Sequence, residues 1–302
     1  MIMNRLTMLA VTLMASMACF AQGNAKMITT LINQPHNEGD IVDLYELRYY
    51  ITEDNGGNCL ELEVIGFASD VTGTVGAVYT TTPGDPNKVT SEYDGILEIP
   101  STYPASEVGV KCNVTSIAAN AFTATTCRGD DEKYKAKFAD AAALVTKIRI
   151  AYDEEFPYAI TIGDNAFGSF TCVKQSNGTL TGLTEVENQT PGDKVAAISA
   201  SSFATSVYKS AKLIVPEGSL GQYGSTAGWS SFLKIVDVAG KLFGDFDNSG
   251  TFEQKDVTLF KKAFKTGAWP ANFDITKVDL DGNGVIEQRE VTLLIKRFKT
   301  MY

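Results

Sequence analysis

Histidine is nearly absent from this chain of 302 residues, in which His36 is the single one. A zinc site built on several imidazoles is therefore excluded, and a Ser-His-Asp hydrolase would have only one possible base. The strings GxSxG, HExxH, GxGxxG and GxxxxGKS/T are also missing, and with them the usual sequence signatures of catalysis and of phosphate binding. We therefore expect a protein that binds other molecules and is not an enzyme.

Basic residues and long apolar runs are scarce as well. The 26 lysines and arginines face 36 acidic residues, and a net charge of −10 argues against nucleic acid as the main partner. The one long apolar run, Leu6 to Phe20, follows Arg5 and ends in the cleavage-site pattern Cys19-Phe20-Ala21, so residues 1–21 are predicted to be a secretory signal peptide. Lipidation of Cys19 is the alternative. The run is too short for a membrane span, and we expect no transmembrane segment elsewhere.

Few cysteines remain after the predicted cleavage. They are Cys59, Cys112, Cys127 and Cys172. An even number in an exported chain permits two disulfides in any of three connectivities, whereas four buried free thiols are equally compatible with the sequence. No CxxC pair occurs, which excludes the common zinc and redox motifs.

The C-terminal part of the chain contains an internal duplication. Residues 245–266 (DFDNSGTFEQKDVTLFKKAFKT) and 279–300 (DLDGNGVIEQREVTLLIKRFKT) are identical at 12 of 22 positions. Each copy opens with the pattern of a twelve-residue calcium loop, in which alternate side chains point at one cation and a glycine at the sixth position allows a sharp turn. The two copies therefore predict two bound calcium ions.

Equivalent positions of the two loops supply the predicted oxygen ligands. Glu253 and Glu287, at the ninth positions, would act through water. The direct ligands, including a backbone carbonyl at the seventh position, are Asp245, Asp247, Ser249, Thr251 and Asp256 in the first loop and Asp279, Asp281, Asn283, Val285 and Glu290 in the second. Because Glu290 is longer than Asp256 and reaches a bidentate pose more easily, we expect the second loop to bind calcium more tightly.

A helix is predicted after each loop but not before it. Val257, Phe260 and Phe264 have helical spacing, and the second copy repeats it. Two loops with exiting helices only resemble the type I dockerin module, over about residues 242–302. This resemblance implies calcium-dependent docking onto a cohesin-like protein through Gln254, Lys255, Lys261, Lys262, Gln288, Arg289, Ile295 and Lys296. The basic residues of both helices, Arg297 included, are expected to lie on the exterior and to favour an acidic partner surface.

The middle of the chain repeats a second motif. It reads VTSIAANAF at 114–122, ITIGDNAF at 160–167 and VAAISASSF at 195–203, with short β-rich segments between the copies. These residues resemble the BspA-like leucine-rich repeats of bacterial surface proteins, over about residues 95–238. The resemblance implies stacked repeats that share one core, and a concave sheet that binds a protein or glycan ligand.

The predicted fold class is a β-rich leucine-rich-repeat solenoid with an N-terminal β cap, plus a small all-α calcium-binding domain. The predicted units are a signal peptide (1–21), the cap (22–94), the repeat domain (95–238) and the dockerin-like domain (239–302). We expect a secreted or cell-surface binding or adhesion protein of a bacterium. Two alternatives remain open: a glycan-degrading hydrolase carried on a dockerin, and a calcium-stabilised module that docks on its own repeat domain.

Overall fold

The computed structural model describes residues 37–44, 47–55, 59–67, 77–82, 85–93, 95–123, 142–271, 273–279 and 283–301. Its strands are β1 Ile41–Leu44, β2 Leu47–Asp54, β3 Cys59–Phe67, β4 Ala77–Thr82, β5 Asp85–Tyr93, β6 Ile96–Ile99, β7 Thr102–Tyr103, β8 Lys111–Ile117, β9 Lys147–Ile150, β10 Thr161–Ile162, β11 Cys172–Lys174, β12 Leu180–Gly182, β13 Glu185–Asn188, β14 Lys212–Val215 and β15 Lys234–Asp237. Its α-helices are α1 Ala105–Val108, α2 Thr205–Ser210, α3 Leu220–Ser225, α4 Gln254–Thr266 and α5 Gln288–Met301, and its 3₁₀-helices are η1 Trp229–Ser231 and η2 Ile275–Lys277.

A mixed sheet covers the N-terminal part of the described chain. Strands β1, β2 and β3 pair antiparallel in sequence order, whereas β8 and β10 continue the sheet in parallel, and β7 pairs antiparallel with β8. Alternate residues of β3, namely Leu60, Leu62 and Val64, are fully buried, which is the two-residue period of a strand with one face on a core. The N-terminal strands therefore extend the sheet that begins in the repeat region.

The second sheet is wholly parallel and has the order β15-β14-β13-β9-β6. Its register aligns one fully buried aliphatic residue from every strand, and these are Leu97, Ile148, Val186, Leu213 and Ile235. The opposite face carries ion pairs between neighbouring strands, such as Lys147 with Glu187 at 2.5 Å and Lys212 with Glu185 at 2.5 Å. Charges of opposite sign on adjacent strands stabilise this exposed face modestly.

The three repeated motifs stack on one another. The ring of Phe167 lies 5.3 Å from that of Phe122 and 4.9 Å from that of Phe203, in stacked geometry on both sides. Asn120 and Asn165 both have positive φ (60° and 55°), and the Asn165 amide donates to Asn120 Oδ1 at 2.8 Å. The repeats seen in the sequence therefore occupy equivalent positions around one core, as the spacing of the motif predicts.

The predicted fold class is wrong. The described chain is a mixed α/β protein with parallel and antiparallel sheets, and no separate all-α calcium-binding domain is evident among its described residues. The physical reason is that α4 and α5 do not enclose a core of their own. Their buried residues, such as Phe260 and Leu294, belong to one hydrophobic cluster that runs from Val42 through both sheets. The parallel sheet itself remains compatible with stacked repeats.

Candidate calcium centre

The first loop brings three carboxylates together. Asp245, Asp247 and Asp256 each place an oxygen within 4.8 Å of the others. Among the described residues, these three carboxylates are a cluster that could hold a metal ion. Asp245 is 3% exposed and accepts from the Ser249 amide at 2.9 Å and the Gly250 amide at 3.0 Å. These bonds wrap the backbone around the carboxylates, as an oxygen cage for a hard cation requires.

Glycine permits the sharp turn at the sixth position of both loops. Gly250 has φ +81° and Gly284 has φ +77°, a region that side chains with a Cβ rarely enter. The Gly284 amide donates to Asp279 Oδ2 at 2.9 Å, which matches the bond from the Gly250 amide to Asp245. The first and sixth positions of the two loops therefore have the same local geometry.

Asp256 closes the first loop at the start of α4. Its carboxylate is fully buried and accepts from the amides of Phe246 at 2.8 Å, Asp247 at 3.1 Å and Glu253 at 2.8 Å. Burial raises the pKa of the Asp256 carboxyl above its ordinary value, although the three backbone donors act in the opposite direction. Together with Asp245 and Asp247, it gathers three carboxylates into one loop, an oxygen set suited to a divalent cation.

Glu290 takes the same place in the second loop. It is 1% exposed, and its Oε2 accepts from the Glu287 amide at 2.9 Å. Its other oxygen, Oε1, is buried without a hydrogen-bond partner and lies 3.7 Å from Arg289 Nε. An unsatisfied carboxylate oxygen is costly in a protein interior, so its position fits the chemistry of a metal ligand. Asp281 lies outside the described residues, whereas Asp279 and Asn283 lie within them.

Two lysines contact the first loop. Lys255 Nζ lies 2.5 Å from Asp247 Oδ2, and the hydrogen bond from Lys255 is the main cause of the lowered pKa of the Asp247 carboxyl. Lys277 is buried and donates to the Asp245 carbonyl at 3.0 Å and to Asn248 Oδ1 at 2.6 Å. Through these bonds, Lys277 links the segment that precedes the second loop to the first loop. The motif gives no signal for Lys277, because lysine does not bind calcium.

The donor set fits calcium. Aspartate carboxylates, a serine hydroxyl at Ser249 and the backbone carbonyl of Thr251 are oxygen donors of the kind that this cation takes in sets of six to eight. In the structure the Ser249 hydroxyl donates to the Thr251 carbonyl at 3.2 Å, so these two donors are neighbours. In the second loop Asn283 takes the place of Ser249, and Val285 takes the place of Thr251. The Asn283 side-chain oxygen accepts from the Val285 amide at 2.7 Å.

The predicted partner-binding residues lie on the outer faces of α4 and α5. Seven of these eight side chains are exposed, and Ile295 is half-buried. The Phe252 ring, in the first loop, packs edge-to-face on Phe298 of α5, with centroids 5.9 Å apart.

Arg297 does not lie on the exterior, so its predicted place is wrong. The side chain is 9% exposed, and it donates to the carbonyl oxygen of Ser230 at 2.8 Å and to that of Phe232. Its guanidinium lies 5.0 Å from the centroid of the Phe243 ring. The register equivalent in the first copy is Ala263, and this difference between the copies is the signal that could have revealed the special role of Arg297.

Other sequence-level candidates have local structural roles or lie outside the described residues. Cys59, Cys112 and Cys172 are free thiols, and burial raises the pKa of Cys112 to about 12. Residues 1–36, with the predicted signal peptide and His36, lie outside the described residues, as does Cys127.

Comparison with protein-family models, with curated proteins and with solved structures gave no match for this chain. In the part of the chain that the structure describes, no helix combines the length and the apolar composition needed to cross a bilayer. The site therefore has to be interpreted from its own geometry.

Proposed function

We propose that this chain is a non-catalytic, calcium-dependent binding protein that acts outside the cell or on its surface. The observation that carries the proposal is the convergence of Asp245, Asp247 and Asp256 within 4.8 Å, in a loop that the sequence repeats 34 residues later. A cation in each loop would fix the start of α4 and of α5 and hold the two helices in one relative orientation. The calcium ions are thus structural, and the helix faces carry the interaction.

The proposed partner is a cohesin-like protein with an acidic surface. The outer faces of α4 and α5 present Lys255, Lys261, Lys262, Arg289 and Lys296, and their positive charge favours a partner surface of the opposite sign. The stacked repeats, with their parallel sheet, would bind a separate protein or glycan ligand. This second interaction is proposed from the resemblance to surface-protein repeats and from the solvent-facing side of the sheet.

The binding experiment uses the full chain and a panel of cohesin-like domains, in calcium and in chelator. We expect binding in calcium only, and a loss of at least tenfold when Lys262→Glu and Lys296→Glu are combined. Either change alone should matter less, because the duplicated helix offers the same face. A partner that binds the double variant normally, or binds equally in chelator, would refute the proposed docking face.

A second candidate function is that of a calcium-stabilised cap on the protein's own sheet. It is favoured by the bonds from Arg297 to the backbone before β15 and by the contact of Phe243 with the same guanidinium. In that case calcium should raise the stability of the full chain without any partner, and no cohesin-like domain should bind. The hydrolase alternative is tested by assaying the purified chain on plant and mucin glycans beside a glycan-array binding screen.

A further inference from the structure

A small cavity lies where α5 meets the segment between α3 and β15. Its volume is about 200 Å³, and its polar lining comes from Ser225, Ser230, Ser231, Lys296 and Arg297. Leu233, Leu293 and Phe243 contribute apolar surface. Every charged side chain that lines this space is cationic, although the chain as a whole carries a net charge of −10. The cavity is therefore a local positive site on an acidic protein.

Among the described residues, no carboxylate balances the charge of Arg297. The guanidinium is buried and donates to two backbone carbonyls, of Ser230 and Phe232, and burial lowers its pKa to about 10. Guanidinium carries five N–H donors, of which two are accounted for by these bonds, and Nε is buried without a partner. No acidic side chain in the described part of the chain forms an ion pair with it. A buried charge without a counter-ion is costly, and an anion from outside would remove that cost.

We propose that this cavity binds a carboxylate, borne by a small organic acid or an acidic monosaccharide. Carboxylate is the anion that a planar guanidinium recognises with two parallel hydrogen bonds, and the hydroxyls of Ser230 and Ser231 in the lining are further donors. Lys296 adds a second positive charge at the more exposed side of the site. The apolar wall of Leu293 and Phe243 suits the carbon skeleton that carries the carboxylate. The volume accommodates one such small molecule and not a chain of sugars.

The site is tested by titrating the full chain with glucuronate and acetate, with glucose as the neutral analogue of the sugar. Binding is followed by the fluorescence of the neighbouring Trp229 and by the melting temperature. We expect a saturable 1:1 change with glucuronate at a Kd of about 1 mM, no change with glucose, and a rise of about 2 °C in Tm at ten times Kd. An equal response to acetate would assign the recognition to the carboxylate alone, whereas a response only to glucuronate would assign it to an acidic sugar.

Two variants make the proposal falsifiable. Lys296→Gln removes an exposed charge from the cavity and should weaken glucuronate at least fivefold, whereas Lys262→Gln, its register equivalent on α4, should have no effect. Arg297→Met should abolish the ligand-induced rise in Tm; if this variant does not fold, the lysine pair still decides. Failure to saturate with either acid up to about 20 mM, equal binding of glucose, or equal affinity in the two lysine variants would overturn the proposal, and the cavity would then be a purely structural space.

Discussion

Replacing Asp247 by asparagine should abolish calcium binding by the first loop while barely affecting the calcium-free protein. Asp247 differs from the other two carboxylates because it is only half-buried, accepts a single backbone amide, from Ser249 at 3.1 Å, and pairs with the exposed Lys255. An exposed ion pair contributes about 0–1 kcal/mol. Asp245 and Asp256, in contrast, are buried and hold the loop backbone by several hydrogen bonds, so their replacement would change the apo fold as well.

The expected size of the effect follows from ligand linkage. A site filled at 100 times its Kd stabilises the folded state by about 2.7 kcal/mol, which corresponds to a rise of about 4 °C in Tm for a chain of this size. The wild type should therefore show the contributions of two sites. Asp247→Asn should keep only the contribution of the second loop, and its Tm in chelator should lie within about 2 °C of the wild-type value.

Isothermal calorimetry and thermal melts, each in calcium and in chelator, measure both quantities. The matched control is Asp193→Asn, the same chemical change at an exposed aspartate in a turn of the repeat region. We expect two calcium ions per chain for the wild type and the control, and one for Asp247→Asn. Two sites of unchanged affinity in Asp247→Asn would refute the assignment of the first loop.

Three further predictions concern the same region. Asp245→Ala keeps the second loop intact and Asp279→Ala keeps the first, so calorimetric titration of the two variants compares the loops. The second loop should bind calcium about tenfold more tightly, a difference of ~1.4 kcal/mol. A tighter site in Asp279→Ala would reverse the order. Lys255→Gln should strengthen calcium binding by the first loop up to about fivefold, because the lysine pairs with a ligand of that loop; an unchanged Kd would contradict this competition. Gly224→Ala should destabilise the protein by about 1–3 kcal/mol in urea denaturation, because the added Cβ would lie 2.6 Å from Phe243 Cε2, and wild-type stability would show that the ring moves freely.

The sequence predicted the local elements well where one periodicity dominated. The helical spacing after each calcium loop is confirmed by α4 and α5, which begin at Gln254 and Gln288. The chain before each loop is not α-helical in the described residues, as Gly240 and Pro270 indicate. The repeated motif phenylalanines, Phe122, Phe167 and Phe203, stack as their equivalent positions require.

The fold class could not be predicted because it depends on contacts between distant segments. A period of 3.6 residues shows that α4 and α5 bury one face, but not which residues cover it. Leu242 pairs with Val236 at the end of β15, and Phe243 packs beside Gly224 of α3, so the C-terminal segment joins the core of the sheet. Nothing in the charge pattern of α5 distinguishes the buried Arg297 from its exposed neighbour Lys296, apart from the alanine at its duplicate position.

Calcium should therefore control the order of the last strand as well as that of the two helices. Helix α5 begins at the end of the second loop, and its Arg297 holds the backbone before β15. The Phe243 amide also donates to the Ile235 carbonyl of β15 at 3.0 Å. Without calcium, the carboxylates at the loop ends repel one another, the helices lose their anchors, and β15 loses the contacts on its outer side. Hydrogen exchange in chelator should accordingly speed up in α4, α5 and β15 but not in β6, which lies at the opposite edge of the parallel sheet. Unchanged exchange in the helices would show that calcium does not stabilise them. Equal acceleration in β6 would show that the whole sheet unfolds without calcium.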